Sequence, residues 1–385
     1  MDPVALARHY TAFLRPGRIL LTGHSHQAWP DVAAGAMAQA FQDAAEHVDD
    51  KWSRVMERAH RVRQAVATRL GGRPEDVALA ASTHELVARF LSALPLDRRR
   101  HIVTTDGEFH SLDRQLRRLA EAGVEVTCVP ADPVDTLAGR LAAAVRTDTA
   151  ALMASTVLFR TAAVVPGLAE AVAAAQAVGA EVLLDAYHGF NIVPFRTLDF
   201  GVDPIFVVAG GYKYAQWGEG ACFMRVPAGC TLRPVHTGWF ADFEHLGAER
   251  SDGLVGYSED GAGRFAGSTF EPTSVYRAAA VAAFFTQQGL SVERLRALSL
   301  AQTGRILDRV SGRLEVLTPT APEARGGFVA VRVNHAPLVV GTLRQRGIYV
   351  DSRGDVLRIG PAPYVAAGDL DMALDHLLAL AAPGK

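Results

Sequence analysis

Between residues 77 and 209 the chain alternates short apolar runs with amphipathic stretches, and this rhythm limits the possible folds more than any other feature. Val77–Ala80, His101–Thr104, Val124–Val129, Ala150–Ala154, Glu181–Leu184 and Phe206–Ala209 read as buried strands. Between them, Thr83–Leu94, Ser111–Ala122, Asp135–Val145 and Leu168–Val178 read as helices. Continuous apolar runs suit strands covered on both faces, so the pattern predicts an α/β fold with a mostly parallel sheet between helices. After about residue 270 the texture changes. A long helical region, Thr273–Arg313, precedes a strand at Gly327–Val333, a helix at Pro337–Arg346, short strands at Ile348–Val350 and Val356–Ile359, and a closing helix at Ala367–Ala381. This predicts a smaller α+β lobe. The expected division is a large domain over residues 16–270 and a small domain from residues 1–15 and 271–385.

Length and composition agree with that division. The chain has 385 residues, 49% of them hydrophobic, enough for a large core in two or more lobes. A net charge of −2 offers no basic excess for nucleic acid. No apolar run reaches membrane-spanning length, and the first residues, MDPVALARHYTAFLRPGR, hold no apolar signal core. A soluble, cytoplasmic protein is expected. Three cysteines, Cys128, Cys222 and Cys230, form neither a disulfide framework nor a paired metal spacing. Among thirteen histidines, His24 and His26 in a Gly-His-Ser-His segment have no third ligand at a telling spacing, so no metal is expected.

Ligands of open parallel sheets bind beyond the carboxyl ends of the strands. There Asp185 ends one apolar run, in LLDAYHGF, and Lys213 follows another by way of Gly210-Gly211. Lysine is rare here: of 39 basic residues only Lys51, Lys213 and Lys385 are lysine. Arginine cannot form a stable imine with an aldehyde, whereas a desolvated lysine can. An aspartate at a strand end can pair with a protonated pyridine nitrogen and keep the ring an electron sink. The two residues, 28 positions apart, therefore predict imine chemistry.

Other strand ends supply further candidates. Ser82 and Thr83 open a helix after the first strand, where free N–H groups and hydroxyls suit a phosphate. Phe109, in Asp-Gly-Glu-Phe-His-Ser, is placed to lie over a ring, and Ser155 is a candidate polar contact. Gly238-Trp239-Phe240 and Gly267-Ser268-Thr269 are glycine-bearing loops with aromatic and hydroxyl groups. Arg358 stands alone in a short apolar strand, where it needs an anionic partner: a substrate carboxylate or an internal Asp or Glu.

From about Leu20 to Tyr364 these motifs occur in the order found in pyridoxal phosphate enzymes of fold type I. The chain resembles the class V aminotransferase branch and, within it, kynureninase. Gly23-His24-Ser25 looks like that family's Gly-Asn-Ser, Ser82-Thr83 its phosphate-binding pair, and Phe109-His110-Ser111-Leu112 its ring-stacking segment. Many class V relatives carry His at the stacking position, so Phe109 favours kynureninase. Ser155-Thr156-Val157-Leu158-Phe159-Arg160-Thr161-Ala162, Asp185 with His188, Tyr212-Lys213-Tyr214, Gly238–Phe240, Ser268-Thr269 and Arg358 continue the likeness. The departures are His24 for Asn, His26-Gln27 for Leu-Gly, Leu112 for Asp and Ala162-Ala163 for Gly-Gln, mostly on the substrate side.

The resemblance implies pyridoxal 5'-phosphate held as a Schiff base on Lys213, with Asp185 and Tyr212 also catalytic. It implies that Ser82, Thr83, Phe109, Ser155, His188, Trp239 and Thr269 hold the cofactor. Ser25, Ser268 and Arg358 would hold the substrate. It also implies hydrolysis of kynurenine to anthranilate and alanine in tryptophan catabolism, by a homodimer whose active site lies at the interface and takes Trp239 or Thr269 from the partner. The altered substrate side leaves transamination, β-elimination or decarboxylation of another amino acid as the alternative. A desulfurase would need a cysteine in a mobile catalytic loop, and none falls in an obvious one.

Overall fold

The computed structural model describes residues 2–200, 205–247 and 253–381; Lys385 lies outside them. The chain opens with α1 (Pro3–Ala7), the two-residue strand β1 (Ile19–Leu20) and two long helices, α2 (Val32–His47) and α3 (Lys51–Leu70). Then follow β2 (Val77–Ala80), α4 (Thr83–Ala93), β3 (His101–Thr105), α5 (His110–Glu121), β4 (Glu125–Val129), α6 (Leu137–Ala144), β5 (Thr149–Ser155), α7 (Leu168–Ala177) and β6 (Glu181–Asp185). β7 (Ile205–Gly210) and β8 (Cys222–Arg225) complete the large sheet.

Among the described residues this sheet has seven strands in the order β2-β8-β7-β6-β5-β3-β4. Strands β3 to β7 pair in parallel, whereas β8 runs antiparallel to both β2 and β7. The six expected strands are present with ends shifted by a residue or so. β8 was not anticipated, because Cys-Phe-Met-Arg is short and carries a charge. Its Arg225 is nevertheless buried and donates to the Ile205 carbonyl (3.1 Å). β5 and β7 are buried along their whole lengths, as their unbroken apolar runs require.

Strand order reverses beside β3. From β3 the chain passes to the edge strand β4, then crosses back to β5 and continues through β6 to β7. The segments after β3 and β5 therefore leave in opposite directions and open a crevice at the strands' carboxyl ends. That is the expected ligand position in such sheets.

The region expected as one long helix, Thr273–Arg313, is two: α8 (Thr273–Gln287) and α9 (Val292–Val310). Gly289, at φ +63°, breaks the run, and the Ser291 hydroxyl caps α9 by accepting the Arg294 N–H (3.3 Å). Helix α8 packs on α2 and α3. Strands β9 (Glu315–Val316) and β10 (Val329–Arg332), helix α10 (Ala336–Gln345), strands β11 (Ile348–Tyr349), β12 (Asp351–Arg353) and β13 (Val356–Ile359), and helix α11 (Ala367–Ala381) form the later lobe. Its antiparallel sheet has the order β12-β13-β10-β9. β1 pairs in parallel with β11, so hydrogen bonds and packing cross both expected domain boundaries. Among the described residues no helix is long and apolar enough to cross a membrane.

Phe206 on β7 is wholly buried, with its ring centroid 4.9 Å from Phe90 and 5.6 Å from Phe265. Phe206→Ala should cost about 3–5 kcal/mol. Urea unfolding would read this as a lower midpoint, and an unchanged midpoint would contradict the packing described.

Candidate active site

Lys213 lies in the loop joining β7 to β8, just past the paired glycines. A Cβ on Gly210 would overlap the Tyr187 hydroxyl and lie 2.6 Å from Cys222 Sγ, so only glycine lets the strand end pass there. The lysine is 4% exposed. Its Nζ stands 2.8 Å from His188 Nε2 and 3.3 Å from Nδ1. Three rings enclose it, with centroids at 4.4 Å (Tyr187), 5.6 Å (Phe109) and 5.7 Å (Tyr212). Burial pulls the ammonium down to about 7; Asp185 opposes the shift and Arg358 adds to it. His188 is held well below its usual range by burial, then by Lys213 and Arg358. The neutral ring thus leaves one nitrogen to accept from the amine.

Asp185 ends β6, and its Oδ1 accepts the Tyr187 N–H (2.8 Å). Burial raises its carboxyl above the ordinary range, against the pull of that N–H and of Lys213. A cationic partner would relieve that cost. Ser82 is the N-cap of α4, its hydroxyl accepting the Glu85 N–H (3.2 Å), with Thr83 as first helical residue. First-turn N–H groups have no partner within a helix, and the dipole there favours an anion. Phe109 caps α5 and packs edge-on against Phe159 (5.5 Å). A desolvated amine, a carboxylate in need of a cation, flanking rings and a helix start together fit a phosphorylated pyridine aldehyde.

Arg358, on β13, is 2% exposed. Its Nε donates to Asp351 Oδ1 (2.9 Å), its NH2 group to Asp351 Oδ2, and its NH1 group to the Phe159 carbonyl (2.9 Å). Of the two partners the sequence allowed, this geometry supplies an internal aspartate. Asp351 also accepts from His24 Nε2 (2.8 Å). Although burial opposes it, hydrogen bonds and charge from His24 and Arg358 hold the Asp351 carboxyl well below the usual range. Burial pulls His24 down to about 4. Ser25, beside it, is partly buried and donates to the Thr22 carbonyl (3.1 Å).

Three expected residues lie elsewhere. Trp239, Ser268 and Thr269 are exposed and line an apolar cleft of about 950 Å³ with Trp52, Phe240 and Phe270. Lys213, Asp185, His188 and Phe109 do not line it, although Ala80, Ala81 and Glu85, near Ser82, do. Tyr212, one of the rings around the lysine, stacks on His26 (4.9 Å).

Sequence reasoning missed Glu108, Tyr187 and Asp351. Tyr187 sits inside the Asp185–His188 motif, and Glu108 is an acid at an apolar strand end; both were visible. Asp351 becomes informative only when β12 pairs with β13 and sets it opposite Arg358.

The family model described as the kynureninase C-terminal domain matches residues 295–377. The kynureninase of Deinococcus radiodurans is 28% identical over 400 residues, covering 98% of this chain and 93% of that protein. An uncharacterized aminotransferase of Bacillus subtilis, YcbU, is 24% identical over 348 residues and 89% of each chain. Among solved structures, a mutant of C-DES with glycine covalently linked to its PLP cofactor superposes with a TM-score of 0.84 at 18% identity, covering 97% of this chain and 98% of that one. The cysteine desulfurase CsdA of Escherichia coli gives 0.82 at 16% identity, covering 99% of each.

The amine must be neutral to attack an aldehyde, so its reactivity follows its deprotonation. Imine formation between the apoprotein and an aromatic aldehyde should rise through pH about 7, set by the burial of Lys213, and level off above it. Absorption measured across pH reads this directly. A rise only near pH 10, the range of an ordinary lysine, would contradict it.

Proposed function

We propose that this chain, a kynureninase-like member of the class V aminotransferase branch of fold-type I pyridoxal phosphate enzymes, hydrolyses the Cβ–Cγ bond of kynurenine or a related amino acid. The products would be anthranilate, or its analogue, and alanine. One observation carries the reading: a buried lysine amine, enclosed by three rings and His188, is pulled down to about 7 and feels the charges of a strand-end aspartate and a buried arginine.

Pyridoxal phosphate, when bound, supplies an electron sink for the charge left when a proton leaves the amino acid's α-carbon. The chain's own residues do the rest. Asp185 would pair with the ring nitrogen and Phe109 would lie against the ring. Ser82, Thr83 and Tyr212 would hold the phosphate, with Ser155 and His188 as polar contacts. With its amine pulled down to about 7 by burial, Lys213 would be able to take a proton at the α-carbon and return it. One water is consumed: its hydroxyl joins the side-chain carbonyl carbon to give the acid group of anthranilate, the Cβ–Cγ bond breaks, and Cβ takes the remaining proton to become the methyl of alanine.

Arg358 holds the substrate α-carboxylate in this reading, which requires Asp351 to yield part of the guanidinium. The altered substrate side, with His24 and His26-Gln27 in place of the usual residues, motivates a second reading, in which the enzyme carries out transamination, β-elimination or decarboxylation on another amino acid.

The exposed apolar cleft supports assembly as a homodimer. Trp239 is 44% exposed and Phe243 52%. A second copy covering this cleft would carry Trp239, Ser268 and Thr269 toward the partner's cofactor.

Purified holoprotein incubated with kynurenine should develop anthranilate fluorescence; none at high enzyme concentration would overturn the first reading. Arg358→Lys should raise KM about 10–100-fold with a smaller effect on kcat, since a point charge replaces a two-pronged donor. An unchanged KM would remove Arg358 from substrate binding.

A further inference from the structure

Glu108 is a buried acid that the mechanism above does not use. It is 4% exposed and sits in the turn between β3 and α5, immediately before Phe109. Its Oε1 accepts the Thr105 hydroxyl (2.6 Å) and the Ser155 N–H (3.0 Å). Its Oε2 lies 2.6 Å from the Ser155 hydroxyl. Thr105 ends β3 and Ser155 ends β5, so these bonds span the crevice where strand order reverses. Ser155 is also in register with Asp185 on β6.

We propose that Glu108 is a positioning residue of this site: it ties the turn that carries Phe109 to the end of β5, and its protonation sets which way the Ser155 hydroxyl points. The inference rests on the cofactor reading above.

The turn leaves little freedom. A Cβ on Gly107 would lie 2.9 Å from both Ala131 Cβ and Leu158 Cδ2, so the backbone is pressed against its neighbours. The Thr105 hydroxyl oxygen accepts the Gly107 N–H (3.1 Å), and Asp106 accepts the Ala131 N–H (2.7 Å). With these ends pinned, the Glu108–Ser155 bonds are the link from Phe109's turn to the neighbouring strand end.

Hydrogen-bond direction then follows from charge. An ionised carboxylate only accepts, so both hydroxyl protons must point at it. A carboxyl protonated at Oε2 donates to Ser155 Oγ, and the Ser155 proton is released toward another acceptor. Burial pushes the Glu108 carboxyl up to about 7; the Ser155 and Thr105 hydroxyls lower it and Asp185 raises it. Both forms are thus accessible near neutral pH. Cys128 on β4 feels the charge of Glu108. Asp106 and His110 flank it on its own turn, and Asp113 with Arg117 on α5 borders the same groove. Arg160, Arg353 and Asp355 face it across that groove from beyond β5 and from the small lobe.

The test compares wild type, Glu108→Gln, Glu108→Ala, Ser155→Ala and Lys213→Ala, each reconstituted with pyridoxal phosphate. Absorption of the bound cofactor is titrated from acid to alkaline pH, and far-ultraviolet circular dichroism checks folding. The glutamine amide accepts at one end and donates to Ser155 at the other, fixing the protonated arrangement without a titration. Imine formation on Lys213 also changes absorption near pH 7, so the Glu108 step is read as a difference from wild type. Glu108→Gln should keep the low-pH spectrum of the wild type and titrate in the Lys213 step alone, and Ser155→Ala should do the same with Glu108 intact. Cofactor affinity should fall less than tenfold in Glu108→Gln and more than tenfold in Glu108→Ala. If wild type and Glu108→Gln titrate alike and Glu108→Ala binds cofactor normally, the inference falls while the cofactor reading stands. If wild type shows no imine absorption, or Lys213→Ala retains it, both fall.

Discussion

The site depends on one costly arrangement: a lysine amine removed from water and left beside a neutral histidine. Burial favours the uncharged amine, and the three rings around Nζ contribute some attraction to the cation without replacing its hydration. The seven-stranded sheet makes this possible. β7 delivers the lysine from a fully buried strand, and the glycines at its end let the chain turn under Tyr187. Asp185 comes from the next strand, so the acid and the amine share a low-dielectric space fixed by backbone pairing rather than by mobile side chains.

A second layer sets the charge around that amine. His24, Asp351 and Arg358 form a row in which one partly buried carboxylate serves two buried partners. Arg358 and Asp185 act on the Lys213 amine in opposite senses. Removing Asp351 would leave the buried Arg358 guanidinium without its carboxylate, usually a loss of several kcal/mol. The row joins the small lobe to the crevice, so the later lobe helps set the chemistry of the large sheet.

The parts of this arrangement that were legible in the sequence are those that local pattern controls. Unbroken apolar runs marked the parallel strands, and strand-end positions marked Asp185, Lys213, Phe109 and Ser82. A rare lysine in an arginine-rich chain was a signal that needed no structure. What stayed hidden depends on pairing between distant segments. β8 is four residues long and finds its place only between β2 and β7. The break at Gly289 was masked by helical propensity on both sides. Arg358 could be seen to need an anion, but which anion depended on β12 pairing with β13. Trp239, Ser268 and Thr269 carried suggestive chemistry, yet the fold sets them along a separate exposed cleft.

The central claim is that Lys213 bears the cofactor. Borohydride reduction of the reconstituted protein, followed by peptide mass analysis, tests it most directly, because reduction makes an imine permanent. The account predicts one phosphopyridoxyl group on the peptide containing Lys213. An adduct on Lys51 or Lys385 instead, or none at all, would contradict it.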